Sequence, residues 1–288
     1  MSRPRFIPGT GSYLVPYILI TTFQYEAAKD GLSYASPFVL MGLRYLIASL
    51  FLFGVARSFR PIINKDTLLL SVFTWASAGF WALGLLYVST SESAVLTYTM
   101  PLISIPISSV VLSEKASGRE WGGAAVGLGG VMVYSLTFLN QTLTTVGAVF
   151  TLLNAFFWAL YTTYYRKLKN QDPIRTVATQ LFYGAILFLL IAPLGYRLQM
   201  TTKFWFDLGY LSILSGAVSF LLWNAMARLQ RVGKMTTLVY SIPVTVTTVQ
   251  CIQTASLPSP VALIGMCLMI FGIYVSRLEK PNAIVQLK

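Results

Sequence analysis

The stretch "LTYTMP" at residues 96–101 returns as "LVYSIP" at residues 238–243. Leu96 answers Leu238, Tyr98 answers Tyr240 and Pro101 answers Pro243, all at an offset of 142. The same offset pairs Trp81 with Trp223, Ser117 with Ser259, Gly123 with Gly265 and Gly130 with Gly272. Upstream the offset is 136, pairing Gly11 with Gly147, Tyr25 with Tyr161 and Pro37 with Pro173. The six-residue difference falls between the second and fourth apolar segments, where loops vary in length. The chain is therefore read as one architectural unit written twice, over residues 1–145 and 146–288.

The solvent for that unit follows from composition. Of 288 residues, 56% are hydrophobic and only 10% are charged, with a mean hydropathy of +0.68. A soluble domain usually carries about 25% charged residues. A chain so short of charge cannot cover itself for water, so the bilayer is its expected environment. Apolar segments of the required length, about 20 residues each, lie at 12–28, 37–55, 68–88, 94–112, 120–139, 147–165, 176–194, 208–227, 235–255 and 260–276. The first of these follows Arg3 and Arg5 as a signal peptide would, but no A-x-A-like cleavage site closes it, so it is read as a helix. The runs do not alternate in polarity as barrel strands do; "SPFVLMGLRYLIASLFLFGV" at 36–55 is apolar throughout except Arg44 and small polar residues. The expected fold class is all-α integral membrane, with ten transmembrane helices in two five-helix repeats.

Orientation follows from the basic residues. With the N-terminus in the cytoplasm, 17 of the 21 Lys and Arg residues fall in inside segments, three (Lys29, Arg197, Lys203) fall outside, and Arg44 lies within a span. The positive-inside rule then places both termini in the cytoplasm. The formal charge of +12 is a topology signal. Its carriers are spread over short loops and form no single patch, so nucleic acid is not an expected partner. Because five is odd, the two halves enter the membrane with opposite polarity, the inverted repeat of many secondary transporters. Two similar units that see the membrane from opposite sides can exchange conformations, one opening inward and the other outward. The substrate site is then expected near the midplane, between the halves.

Other chemistries lack their residues. There is no histidine, which removes His-based triads, His-ligated zinc and imidazole relays. No metal or cofactor is expected. Cys251 and Cys267 sit in apolar runs and form no disulfide framework. No G-x-x-x-x-G-K-[ST] stretch exists, so the chain does not use ATP by that motif.

The order of motifs resembles the EamA-type drug/metabolite transporters. The features are Pro37 at the start of helix 2 with Arg44 following, Pro101 in helix 4, Glu114 at its cytoplasmic end, and a Gly-rich helix 5 in "SGREWGGAAVGLGGVMV". The second half supplies "LNAFFWALYTTYYRKL" (153–168) and "LLWNAMARL" (221–229). The resemblance covers nearly the whole chain. Thr21-Thr22 stands where relatives often have Trp-Gly, and Ser256 is the counterpart of Glu114. Membership implies transport of small organic molecules, through a cavity bounded by helices 1, 3, 4, 6, 8 and 9. It implies no particular substrate.

Candidate site residues follow from polarity inside the spans. Arg44 lies about 10 Å along its helix from Pro37, near mid-membrane. Two roles fit it: a counter-charge for a substrate carboxylate or phosphate, or a packing role on helix-end carbonyls. Tyr98 and Tyr240 each precede a helix proline by about one turn, which makes them candidate cavity-lining residues near hinges at Pro101 and Pro243. Trp81, Trp223, Trp158, Tyr161 and Asn224 complete the candidate substrate-binding set. Glu26, at the outer end of helix 1, is the candidate coupling acid, or a solvated helix end paired with Lys29. "SGRE" at 117–120 reads as a capping box, and Ser259-Pro260 as a second helix start. Gly123, Gly127 and Gly130 form a small-residue face, for packing within a monomer or in a homodimer.

Three functions compete on these grounds. A secondary-active or facilitative transporter of small organic metabolites, such as amino acids or aromatic compounds, acting in the plasma (inner) membrane, agrees with the repeat. A channel-like pore needs a continuous polar stripe that "AILFLLIAPL" (185–194) does not offer. A membrane-embedded lipid-handling enzyme needs clustered acids, His or a Ser–Lys pair in mid-membrane, which the spans lack.

Overall fold

The computed structural model describes residues 10–138 and 144–278; Arg3, Arg5, Lys280 and Lys288, used above for orientation, lie outside them. Among the described residues the chain is helical, with no named strand and one isolated bridge between Ala35 and Leu198. The first half comprises α1 (Thr10–Tyr34), α2 (Pro37–Val55), α3 (Lys65–Gly84), α4 (Thr90–Thr97), α5 (Met100–Leu112) and α6 (Gly118–Ser135). The second comprises α7 (Thr145–Lys167), α8 (Pro173–Ile191), α9 (Thr202–Gly209), α10 (Ser219–Leu229), α11 (Val232–Thr236), α12 (Ser241–Thr254) and α13 (Pro260–Arg277). A π-helical stretch, Tyr210–Val218, joins α9 to α10, and a 3-10 turn, Thr237–Tyr240, joins α11 to α12.

Short polar residues start these helices. Ser117 and Glu120 form the expected capping box on α6, and Ser259 accepts from the Ala262 N–H with Pro260 in the first turn of α13. Ser89 and Glu92 form a second box on α4.

Seven helical stretches among the described residues are long and apolar enough to cross a membrane. They are Pro37–Val55, Lys65–Gly84, Thr90–Leu112, Thr145–Lys167, Pro173–Ile191, Thr202–Leu229 and Pro260–Arg277. The three remaining expected spans are helical but less apolar or interrupted. In α1, Tyr17, Thr21, Gln24 and Glu26 lower the hydropathy; in α6, six glycines and Arg119 and Glu120 do so. The ninth is broken into α11 and α12, of 5 and 14 residues.

Both repeated prolines follow breaks. The helix stops at Tyr98, which caps α4, and Pro101 sits in the first turn of α5. The 3-10 turn ends at Tyr240, and Pro243 sits in the first turn of α12. A proline has no N–H to give to the turn before it, so it is best placed where a helix begins.

The halves pack on each other. The principal pairs are α6 with α13, α2 with α8, α3 with α7 and α8, and α5 with α7, each joining the first half to the second, and α1 also packs on α10. The α6–α13 seam is closed by glycines: a Cβ on Gly123 would lie 2.5 Å from the Gly272 carbonyl, and one on Gly130 would lie 2.7 Å from the Gly265 carbonyl. The small-residue face thus brings two helices of one chain together. At one end, Glu114 pairs with Arg166 at 2.5 Å and Glu120 with Arg231 at 2.7 Å, again across the halves.

Candidate functional site

A cavity of about 80 Å³ lies between the halves. On the scale where one water needs about 10–15 Å³, it has room for several waters or a small organic group. The first half contributes Tyr17, Thr21, Gln24 and Tyr25 from α1, Arg44 and Tyr45 from α2, Ser77 and Trp81 from α3, and Thr97 and Tyr98 at the break between α4 and α5. Facing them are Asn154 and Trp158 from α7, Ser215, Ser219 and Phe220 from the π-to-α10 stretch, and Val239 and Ile242 beside the second break.

Among the described residues Arg44 is the only Asp, Glu, Lys or Arg in that wall, and it is 4% exposed. Its Nε donates to the Leu211 carbonyl at 3.1 Å, and its Nη2 donates to the Ser215 carbonyl at 3.3 Å and the Ser215 hydroxyl at 2.9 Å. Those acceptors belong to the π-helical stretch, so the guanidinium ties α2 to the second half. Its carbon lies 5.4 Å from the Trp81 ring centroid. The Ser215 hydroxyl in turn donates to Gln24 Oε1 at 2.7 Å.

A second polar relay crosses the halves. Ser77 donates to Asn154 Oδ1 at 2.9 Å, and Asn154 Nδ2 donates to Thr97 Oγ1 at 3.1 Å. Aromatic rings fill the space between: Tyr25 meets Trp81 edge-on at 5.4 Å between centroids, and Trp158 lies 5.4 Å from Phe220 and 5.9 Å from Trp223.

Of the sequence candidates, Arg44, Trp81, Tyr98 and Trp158 line the cavity. Tyr161, Trp223 and Asn224 form the layer behind it. Gln180 Nε2 donates to the Tyr161 hydroxyl at 3.1 Å, which donates to Asn224 Oδ1 at 2.8 Å, and Trp223 Nε1 donates to Thr162 at 2.9 Å. Tyr240 lies away from the lining. Its ring packs against Gly127, where an added Cβ would come within 2.2 Å of Tyr240 Cε2, and its hydroxyl donates to the Ala124 carbonyl at 2.9 Å. Glu26 is exposed and accepts from Thr90 at 2.7 Å. Lys29 does not pair with it; its ammonium donates to the Leu85 and Val88 carbonyls past the end of α3.

Tyr17, Thr21, Gln24, Tyr25, Ser77, Thr97, Asn154 and Ser215 were not among those candidates. The α1 group carried a readable signal: the polar side chains at positions 17, 21, 24 and 25 share one face of the helix. Ser77 continues a row of small polar residues on α3 with Thr67, Ser71 and Thr74, and Asn154 is an isolated amide on α7; neither spacing shows that the two oppose each other.

The sequence model of the EamA-like transporter family matches the chain twice, over residues 15–136 and 145–278. The chain belongs to the EamA-like transporter family. Like its relatives it is a multi-pass membrane transporter and not an enzyme. One relative of this EamA transporter is an uncharacterized transporter of Acidianus ambivalens, 44% identical over 241 residues, which cover 83% of this chain and 93% of that one. Another, a probable amino-acid metabolite efflux pump of Salmonella typhimurium, is 23% identical over 279 residues, covering 90% and 91%. A solved structure titled only as the crystal structure of a protein shares the fold, with a TM-score of 0.79 at 19% identity over 93% of this chain and 96% of the other. Family membership implies a small-molecule substrate and a lipid bilayer as partners.

Proposed function

We propose that the chain is a secondary-active or facilitative exporter of small organic metabolites, such as amino acids or aromatic compounds. It works by alternating access in the plasma (inner) membrane, as ten crossing helices in two inverted five-helix repeats, 1–145 and 146–288, with cytoplasmic termini. One observation carries this reading: the cavity wall draws on both halves, and both proline-marked breaks reach it, through Tyr98 on one side and Val239 and Ile242 on the other. Rocking one half against the other would change access to such a site while keeping its wall. Export agrees with the printed name of the Salmonella relative. Tyr98, Trp81, Trp158 and Arg44 are the contacts on the substrate; Tyr161, Trp223 and Asn224 hold them in place; Pro101 and Pro243 mark the hinges. Glu26, an exposed carboxylate on α1 bonded to Thr90 of α4, is the coupling acid if transport is proton-driven.

The test is counterflow of labelled amino acids, sugars, nucleotides, organic acids and organic cations in proteoliposomes, with and without a pH gradient. Saturable counterflow of one class, weakened in Tyr98→Ala and Trp158→Ala, is the expected result. Non-saturable flux without counterflow would replace the carrier by a pore.

A further inference from the structure

Charge and unmet donors in the cavity wall point to one class of substrate. Arg44 is buried and has no carboxylate partner: the five ion pairs among the described residues do not include it, and no Asp or Glu lines the cavity. Its Nε and Nη2 are taken by Leu211 and Ser215. Its Nη1 has only the Met41 sulfur, at 3.8 Å, a weak acceptor. A second lining residue, Trp81, is 6% exposed, and its indole N–H has no hydrogen-bond partner among the described residues. The two residues are in contact, guanidinium over indole. A buried unpaired cation and a buried unpaired N–H are both costly to keep. They cease to be costly if a ligand brings the missing acceptors.

We propose that the cavity takes a monocarboxylate with an apolar, ring-bearing body and no cationic group, its carboxylate held by Arg44 and Trp81 and its body against Trp158 and Tyr25. A carboxylate offers two acceptor oxygens and one negative charge, which matches one cation and two unmet donors. A phosphate monoester has more charge than a single guanidinium balances, and the wall holds no lysine or second arginine. A cation would meet Arg44 without any acid to offset the repulsion. A zwitterionic amino acid would leave its ammonium without a carboxylate partner.

This inference rests on the carrier reading, within which it selects aromatic acids over amino acids, and two measurements separate them. The first is equilibrium binding to the purified wild-type protein, by thermal shift and quenching of tryptophan fluorescence. The probes are four molecules of similar size: 3-phenylpropionate, 3-phenylpropanol, phenylalanine and phenethylamine. Binding of 3-phenylpropionate at least about tenfold tighter than the other three is the expected result, the factor that a charge-assisted hydrogen bond supplies. Equal or tighter binding of the alcohol, the amino acid or the amine, or no binding of the carboxylate, overturns the proposal. In variants, Trp81→Phe keeps an aromatic ring of smaller size and removes the N–H, and is expected to weaken 3-phenylpropionate severalfold more than it weakens 3-phenylpropanol; equal weakening of the two would remove the indole N–H from the proposal. Arg44→Gln is expected to abolish the preference for the carboxylate; because Arg44 also ties α2 to the π-helical stretch, the wild-type probe series and Trp81→Phe decide the matter if that variant does not fold. The second measurement is the counterflow panel. Saturable counterflow of another charge class, without carboxylate binding, sinks this inference and leaves the carrier standing. Absence of saturable counterflow for every class, organic acids included, sinks the carrier and this inference with it.

Discussion

The α6–α13 seam gives the most direct test of the packing. In Gly123→Ala the added Cβ would meet the Gly272 carbonyl oxygen and the Ser276 nitrogen at 2.5 Å, and the Ser276 Cβ at 2.7 Å. Ordinary contact begins at 3.4 Å, so the shortfall is 0.9 Å. Two of the three atoms are helix backbone, which cannot rotate away as a side chain can. The helices must separate, and the neighbouring approaches at Gly127 and Gly130 loosen with them. Overpacking of this kind costs about 1–3 kcal/mol, and a rigid obstacle on the partner helix belongs at the upper end. Alanine recovers about 1 kcal/mol of helix propensity over glycine. The expected net loss is therefore about 2 kcal/mol. Gly129→Ala in the same helix supplies the opposite sign: nothing lies within 4 Å of its Cβ, so only the propensity gain of about 1 kcal/mol remains. The assay is SDS-titrated unfolding of the detergent-solubilised protein, followed by tryptophan fluorescence, with thermal midpoints alongside. A Gly123→Ala protein as stable as wild type would refute the seam. Equal effects at Gly123 and Gly129 would refute the claim that contact on one face sets the sign.

Other sites give sharper functional contrasts. Tyr240→Phe removes a buried hydroxyl's bond to the Ala124 carbonyl; it is expected to cost about 1 kcal/mol of stability and leave substrate preference unchanged, and an altered KM at full stability would move Tyr240 into the site. Arg166→Gln deprives Glu114 of its partner and frees the Ala227 and Gln230 carbonyls; with both charges partly exposed, a loss of about 2 kcal/mol is expected, and adding Glu114→Gln should recover part of it. No recovery in the double variant would mean the ion pair is not what Arg166 supplies. Glu26→Gln is expected to keep counterflow but lose its acceleration by a pH gradient; unchanged acceleration would reduce Glu26 to an acceptor for Thr90.

Along the chain, the properties that could be read without a structure are the local and periodic ones. Apolar runs of bilayer length, the double-written "LTYTMP" and "LVYSIP", the Ser117–Glu120 box and the order of motifs that marks the family are all written in one dimension. They are legible because a lipid solvent requires each crossing segment to satisfy its own backbone and present apolar side chains. What depends on opposing surfaces was decided only by the fold. Tyr98 and Tyr240 hold equivalent places in the repeat, yet one lines the cavity and the other fills the notch at Gly127, because the two halves meet different neighbours. Spacing puts Glu26 and Lys29 on one helix face, but Lys29 reaches the carbonyls beyond α3, where a half-buried ammonium finds fixed acceptors. Arg44 was visible as a charge in an apolar run; that Leu211 and Ser215, more than 160 residues away, hold two of its nitrogens and leave the third facing a thioether was not. Hydrogen-bond partners across helices are set by where backbones come to rest, and that is a property of the packed molecule.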